Sequence, residues 1–276
     1  MMLKRLQQVA TYGFLAVAAF VSIFPFYWMV VSATNASIDV TRGRLTPGGA
    51  LLDNWTALGT MADFGNAFWN STQIGVTSTL LSLAIASLAG YGFEIYQSRA
   101  KEMLFKILLL SMMVPAAALM VPLFRLFANL GRTVPAVGIN TFPAVMLPGI
   151  ATAFLIFFFR QSTKMFPKEI LDAGRMDGLS ELGIFLFIFV PAMKTTYAAA
   201  AIITFMASWN SFLWPLVVIQ TQSNQTLPLL ISNLGASYSP MFGVLMLAVV
   251  LATLPVAVVF FLLQKHFVAG MMGSIK

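Results

Sequence analysis

Residues 166–191 read Phe-Pro-Lys-Glu-Ile-Leu-Asp-Ala-Gly-Arg-Met-Asp-Gly-Leu-Ser-Glu-Leu-Gly-Ile-Phe-Leu-Phe-Ile-Phe-Val-Pro and hold six of the 25 charged residues in a charge-poor chain. The spacing predicts a short helix, a break and a second helix. Pro167 suits the first helical position, and Glu169 favours the positive end of the helix dipole. Gly178 can take the left-handed conformation that stops a helix, and Ser180 can cap the next one. Lys168 and Asp172 lie four residues apart, Asp172 and Arg175 three apart, so both pairs are within reach on one helix surface. Between these charges sit the small residues Ala173 and Gly174, which would let another backbone come close. The chemistry on offer is ion pairing and close approach to a partner, although a plain amphipathic connector uses the same residue types.

Covalent and metal chemistry is poorly provided for. The chain has no Cys and a single His, His266. That excludes disulfides, thiolate metal sites and cysteine nucleophiles, and leaves little for a His-dependent catalytic pair. No Gly-Lys dipeptide occurs, so the phosphate-cradling loop that ends in Gly-Lys-Ser/Thr cannot be built. A His-Glu-x-x-His zinc helix is missing as well. These gaps disfavour an intramembrane enzyme.

The elements that position the charged segment follow from composition. Of 276 residues, 59% are hydrophobic and 9% charged, with mean hydropathy +0.87. A soluble domain carries about a quarter charged residues. So little polar surface predicts an all-α, polytopic membrane protein, a single transmembrane domain over residues 1–276. Six apolar stretches are long enough to span: Val9–Ser32, Ile74–Phe93, Leu104–Phe124, Ile139–Phe159, Ile184–Met206 and Met241–Leu263. With the N-terminus in the cytoplasm, the inner segments hold eleven Lys and Arg, counting Lys106 just inside the third span, and the outer ones only Arg42, Arg44 and Arg132. The positive-inside rule therefore puts both termini in the cytoplasm. It also absorbs most of the +7 net charge, so no nucleic-acid partner is inferred.

On this topology residues 160–183 form the longest cytoplasmic loop. Residues 33–70, with the turn Pro47-Gly48-Gly49, and residues 207–240 lie outside. The predicted spans contain no Asp or Glu, which argues against an autonomous ion-coupled carrier or channel. Ser82, Ala86 and Gly90 recur every four residues, a face for close helix packing. Thr195, Thr196, Tyr197 and Thr204 could line a solute path or bond to neighbouring carbonyls. Asn35, Asn54, Asn70 and Asn224 begin Asn-x-Ser/Thr tripeptides, which arise readily by chance.

The charged loop resembles the EAA loop of ABC importer permeases: Glu-Ala-Ala, three residues, Gly, nine residues, Ile-x-Leu-Pro. Here it stands as Asp172-Ala173-Gly174, then Gly178, then Ile188-Phe189-Val190-Pro191. Asp172, Gly174 and Val190 replace Glu, Ala and Leu. A second stretch, Ser208-Trp209-Asn210-Ser211-Phe212-Leu213-Trp214-Pro215-Leu216 followed by Gln225-Thr226-Leu227-Pro228-Leu229, is similar to carbohydrate importer permeases of the maltose or multiple-sugar type, and within these to the second, MalG-like permease. The Pro25-Phe26-Tyr27-Trp28 and Gln264-Lys265-His266-Phe267 stretches agree.

The resemblance implies a six-helix, type I ABC importer permease fold in a bacterial or archaeal inner membrane. It implies no catalysis and no cofactor on this chain. ATP and Mg would be bound by a dimer of partner ATPase subunits, with a second, different permease and an external solute-binding protein completing the importer. The substrate would be a sugar, or another solute such as glycerol phosphate. Glu169, Asp172, Ala173, Gly174, Asp177, Gly178, Ile188 and Pro191 would couple to the ATPase, with Asp172 as the acidic contact, Ala173 and Gly174 giving close approach, and Gly178 the bend. Trp209, Asn210, Gln222, Ser223, Asn224 and Gln225 would face the binding protein or solute, with interfacial anchoring as another use for Trp209 and Trp214. Gly270, Gly273 and Lys276 in the tail would touch the ATPase.

Overall fold

The computed structural model describes residues 2–273. It is 80% helical, with no strand among the described residues. The longer helices are α1 (Met2–Ala33), α2 (Leu51–Met61), α3 (Phe64–Ile95), α4 (Arg99–Ser111), α5 (Ala116–Thr133), α6 (Ala153–Lys164), α7 (Lys168–Met176), α8 (Lys194–Trp209), α9 (Leu227–Gly235) and α10 (Phe242–Gly273). Four stretches, Gln7–Ala33, Phe64–Ile95, Lys194–Val218 and Phe242–Lys265, are long and apolar enough to cross a membrane. Two bent pairs, α4 with α5 and Phe142–Gly149 with α6, raise the number to six if each pair makes one span.

Three of the predicted apolar stretches are interrupted rather than continuous helix. The stretch 104–124 bends by 104° between α4 and α5. Pro115 has no N–H to give the Ser111 carbonyl, so the helical ladder stops there, and Pro115 opens α5 as its N-cap. The stretch 139–159 bends by 46° after Pro148 and Gly149, and Thr152 caps the restart at α6. The stretch 184–206 begins as a five-residue π turn, Phe185–Phe189, and becomes a regular helix only at Lys194. Pro191 lacks the N–H that Phe187 would accept, and the wider turn absorbs the mismatch. α3 outruns its predicted 74–93 at both ends, and it buries Glu94, which the sequence placed outside a span.

The chain divides into two units. One holds residues up to 65 with 230–254, and the other holds 66–229 with the residues after 254. In the first, Val9–Tyr27 of α1 is exposed, as an apolar helix facing lipid would be. Its core joins Ala33 and Leu58 to Val244, Leu247 and Ala248. Beside it, the Asn54 amide donates to the carbonyls of Ala33 (2.9 Å) and Asn35 (3.0 Å). The Asn35 amide donates to those of Val31 and Thr46, each at 3.0 Å. These two sequon asparagines are therefore structural ties, buried and engaged, as Asn70 is in the second unit.

In the second unit α3 is the post against which the rest packs. Ile74 shares a buried cluster with Phe127, Val145, Val218 and Leu229, Ala86 one with Phe105, Leu155, Phe159 and Ala200, and Tyr91 one with Phe166, Leu171, Ile184 and Phe189. Lipid tails are as apolar as these side chains, so dispersion from close fit, rather than exclusion of water, holds such helices together. The expected Ser82-Ala86-Gly90 face is buried. A methyl group on Gly90 would lie 2.7 Å from the backbone nitrogen of Arg160 and from the Phe159 Cβ. Gly90→Ala is expected to cost about 2 kcal/mol through overpacking, read as a lower thermal midpoint of the purified protein in detergent; an unchanged midpoint would show that α3 and α6 can move apart freely.

Candidate functional site

α7 is built by local rules. Pro167 stands as its N-cap, one position before the expected place, and Glu169 lies in the first turn. At the other end Gly178 has φ +79°. The Gly178 N–H donates to the Arg175 carbonyl and the Leu179 N–H to that of Gly174, each at 3.1 Å. This is a Schellman motif, in which the left-handed glycine satisfies carbonyls that a helix end leaves open. Ser180 then caps the next helix, its Oγ accepting from the Gly183 N–H at 3.2 Å.

Placement corrects the expectation for Gly174. It faces inward: a Cβ there would lie 2.5 Å from Ile188 Cδ1 and 3.3 Å from Ile184 Cγ1. Its small size lets α7 close against the π-turn helix, which brings Gly174 and Ile188 of the motif together. Leu171 is buried on the same face. Glu169, Asp172, Ala173 and Asp177 point outward, joined by Met176, which is 88% exposed and which the motif did not single out. Its only sequence signal was an apolar residue off the buried face of a short helix. Pro191 is exposed and remote from this face along the chain.

A polar brace runs beneath the outward face. Arg175 pairs through Nη1 with Asp172 Oδ1 at 2.6 Å and through Nε with Glu181 Oε1 at 2.8 Å. The Tyr96 hydroxyl, just past the end of α3, donates to Glu181 Oε2. Lys168 makes no ion pair with Asp172; Lys101 lies over the Tyr96 ring instead of the loop, 5.1 Å from its centroid. Hydrogen bonds from Arg175 and then Tyr96 hold the Glu181 carboxyl below its usual range. Burial, and then the bond to Glu181, push the Tyr96 hydroxyl up to about 12. A second node lies deeper. Arg160 bonds Glu94 at 3.2 Å and also Glu102, with its guanidinium carbon 4.1 Å from the Phe105 ring centroid. The three residues are 58 to 66 positions apart in pairing, beyond the reach of any local pattern.

The second predicted cluster splits. Trp209 is 3% exposed, stacked on Phe205 and edge-on to Phe68, so its ring is packed inside the chain rather than presented on the surface. Trp214 likewise turns inward, its Nε1 donating to the Ala144 carbonyl at 2.9 Å. Asn210 is exposed and bonds its own helix at the Met206 carbonyl. Gln222 and Ser223 are exposed on a short turn, with Asn224 and Gln225 half-buried beside them. Asn66 and Asn70 donate to the Ser223 carbonyl at 2.6 and 2.8 Å, and Asn70 also to that of Gln225 at 3.0 Å. Of the tail, Gly270 and Gly273 lie on the last turns of α10, and Lys276 lies outside the described residues. Among the described residues no cluster of His, Cys, Asp and Glu could hold a metal.

Residues 82–273 match the family described as binding-protein-dependent transport system inner membrane component. The chain belongs to this family. It is similar to the lactose transport system permease protein LacG of Rhizobium radiobacter, 48% identical over 99% of this chain and 98% of that one. The arabinooligosaccharides transport system permease protein AraQ of Halalkalibacterium halodurans is 35% identical, over 98% and 97%. A crystal structure of a bacterial ABC transporter involved in the import of the acidic polysaccharide alginate shares the fold, with TM-score 0.83 and 20% identity over 95% of this chain and 97% of that one. The protein is thus a multi-pass permease component of an inner-membrane transport system, and the family is not one of enzymes.

The brace has a defined pH window. Glu181 is favoured in its charged form, so its contribution is complete above the ordinary glutamate pKa and is lost as pH falls through the lowered one. Hydrogen-exchange protection of residues 171–176 is expected to hold from pH 8 to pH 5 and to fall only below the ordinary glutamate value of about 4.3, while Glu181→Gln lowers it several-fold at pH 7. Loss of wild-type protection between pH 7 and 5 would show that Glu181 does not hold α7.

Proposed function

We propose that this chain is the passive, translocating subunit of an ATP-driven oligosaccharide importer. Its partners are a second, different permease, a dimer of ATPase subunits that bind ATP and Mg, and an external solute-binding protein. The carrying observation is the outward face of α7. Glu169, Asp172, Ala173 and Met176 offer acid, small and apolar surface on a helix that is capped at its end and braced through Arg175, Glu181 and Tyr96. A short helix fixed in this way moves as a lever: displacement by a partner passes to the helices behind it rather than being lost in local unfolding. ATP-driven closure of the ATPase pair would pull α7 and switch the spans between inward- and outward-open states.

Membership of a binding-protein-dependent family supports the partner set, and the permeases for lactose and arabinooligosaccharides among its relatives support a di- or oligosaccharide as solute. The charge bias supports both termini, and α7 with them, on the cytoplasmic side, and the turn around Gln222 on the other. The tail glycines Gly270 and Gly273, with Lys276, would lie toward the ATPase. Asp177 and Gly178 close the coupling helix, and Ile188 and Pro191 carry its motion onward.

Purification from detergent-solubilised native membranes is expected to bring down an ATPase and a second permease, and uptake of radiolabelled lactose or raffinose to require both. Gly178→Trp and Asp172→Lys are expected to insert normally and to lower uptake at least tenfold, because the first forces a side chain into a left-handed turn and the second inverts the acidic contact. A pure homo-oligomer that transports without ATP, or normal uptake in both variants, would overturn the coupling role.

A further inference from the structure

The turn assigned above to the solute-binding protein is held by a residue that no motif marks. Asn140 is the one non-glycine residue with a positive φ, +66°, among the described residues. Asn tolerates this left-handed conformation better than most side chains because its short amide can bond locally. Here it bonds at long range instead. Its Oδ1 accepts from the N–H groups of Gln220 (2.9 Å) and Thr221 (3.1 Å) and from the Thr221 hydroxyl (3.1 Å). Its carbonyl accepts from Asn224 Nδ2 at 2.7 Å, and its own N–H donates to the Val218 carbonyl at 2.8 Å. One residue, 80 positions earlier in the chain, thus ties both limbs of the turn while Gln222 and Ser223 stay exposed at its tip.

We propose that Asn140 is a positioning residue that pre-forms the turn for the solute-binding protein. The proposal rests on the reading of this turn as the face that the binding protein meets. A loop ordered before docking does not lose its conformational freedom on docking, so the encounter is tighter than with a floppy loop of the same composition. The left-handed backbone of Asn140 is what aims its amide oxygen at two successive N–H groups. An extended or helical backbone at that position would send the side chain elsewhere.

The test uses the whole assembled importer with two variants. Asn140→Gly keeps the backbone conformation and removes the acceptor, and Asn140→Asp keeps both. Two quantities are read: hydrogen exchange of the Gln220 and Thr221 amides, and the concentration of binding protein, isolated with its own solute bound, that half-saturates ATP hydrolysis. In Asn140→Gly both amides should exchange faster and the half-saturating concentration should rise about tenfold, the scale of one lost anchor, with the maximal rate unchanged. Asn140→Asp should restore both. Unchanged exchange in Asn140→Gly overturns the positioning role and leaves the reading of the turn intact. Faster exchange with an unmoved half-saturation, matched by a silent Gln222→Ala, overturns the reading of the turn itself. A maximal rate that falls with the amount of assembled importer, at constant half-saturation, marks Asn140 as merely structural and overturns the proposal.

Discussion

A lipid environment offers no partner to an unpaired N–H or carbonyl, and the architecture follows from that constraint. Helix is the default because it pairs its own backbone, and each interruption needs a local device. Ser98 caps α4, Thr152 caps α6, Ser180 caps the helix after Gly178, and Gly178 closes α7 with two backbone bonds. Where Pro191 removes a donor, the chain widens into a π turn and the Met193 N–H still finds the Phe189 and Val190 carbonyls. The segments proposed to meet partners sit at these interruptions, where the backbone leaves the helical ladder and presents a turn.

The parts legible in the sequence are those governed by neighbours along the chain. Hydropathy marked the apolar stretches, and residue type marked the Gly178 stop and the Ser180 cap, because both depend on a residue's own conformational freedom or short reach. The Ser82-Ala86-Gly90 face was legible because small residues every four positions have one geometric use. The direction of Gly174 was not, since a small residue permits close approach from either side and only Ile188 decides which. Bends hid for a related reason: proline is tolerated within membrane helices, so Pro115 alone did not distinguish a kink from a turn of 104°. Asn140 carried no local signal at all, as the partners of its side chain lie 80 and 81 positions away.

Two charged nodes near the end of α3 differ in burial, and burial sorts their work. In the Arg160 node, Arg160 is 11% and Glu94 5% exposed. Desolvating such ions costs nearly what their attraction returns, but removing one partner strands the other at about 3–5 kcal/mol. A node of this kind contributes little net stability and strongly forbids alternatives, so it fixes α3 and α6 in one register. The Phe105 ring beneath the guanidinium adds to that, since it offers its electron-rich face to the Arg160 cation.

The Arg175 node is open, with Asp172 66% and Glu181 47% exposed. Ion pairs this exposed are worth about 0–1 kcal/mol, because water and salt compete for both partners. Such a pair can be exchanged at little cost: a cation on a docking surface can share Asp172 while Arg175 keeps its second bond to Glu181. The bidentate contact of Arg175 on Glu181 makes that possible, since losing the Asp172 bond leaves the brace to α3 in place. The deep node holds helices against each other, and the shallow one would let the proposed partner take hold of α7 without freeing it from the rest of the chain.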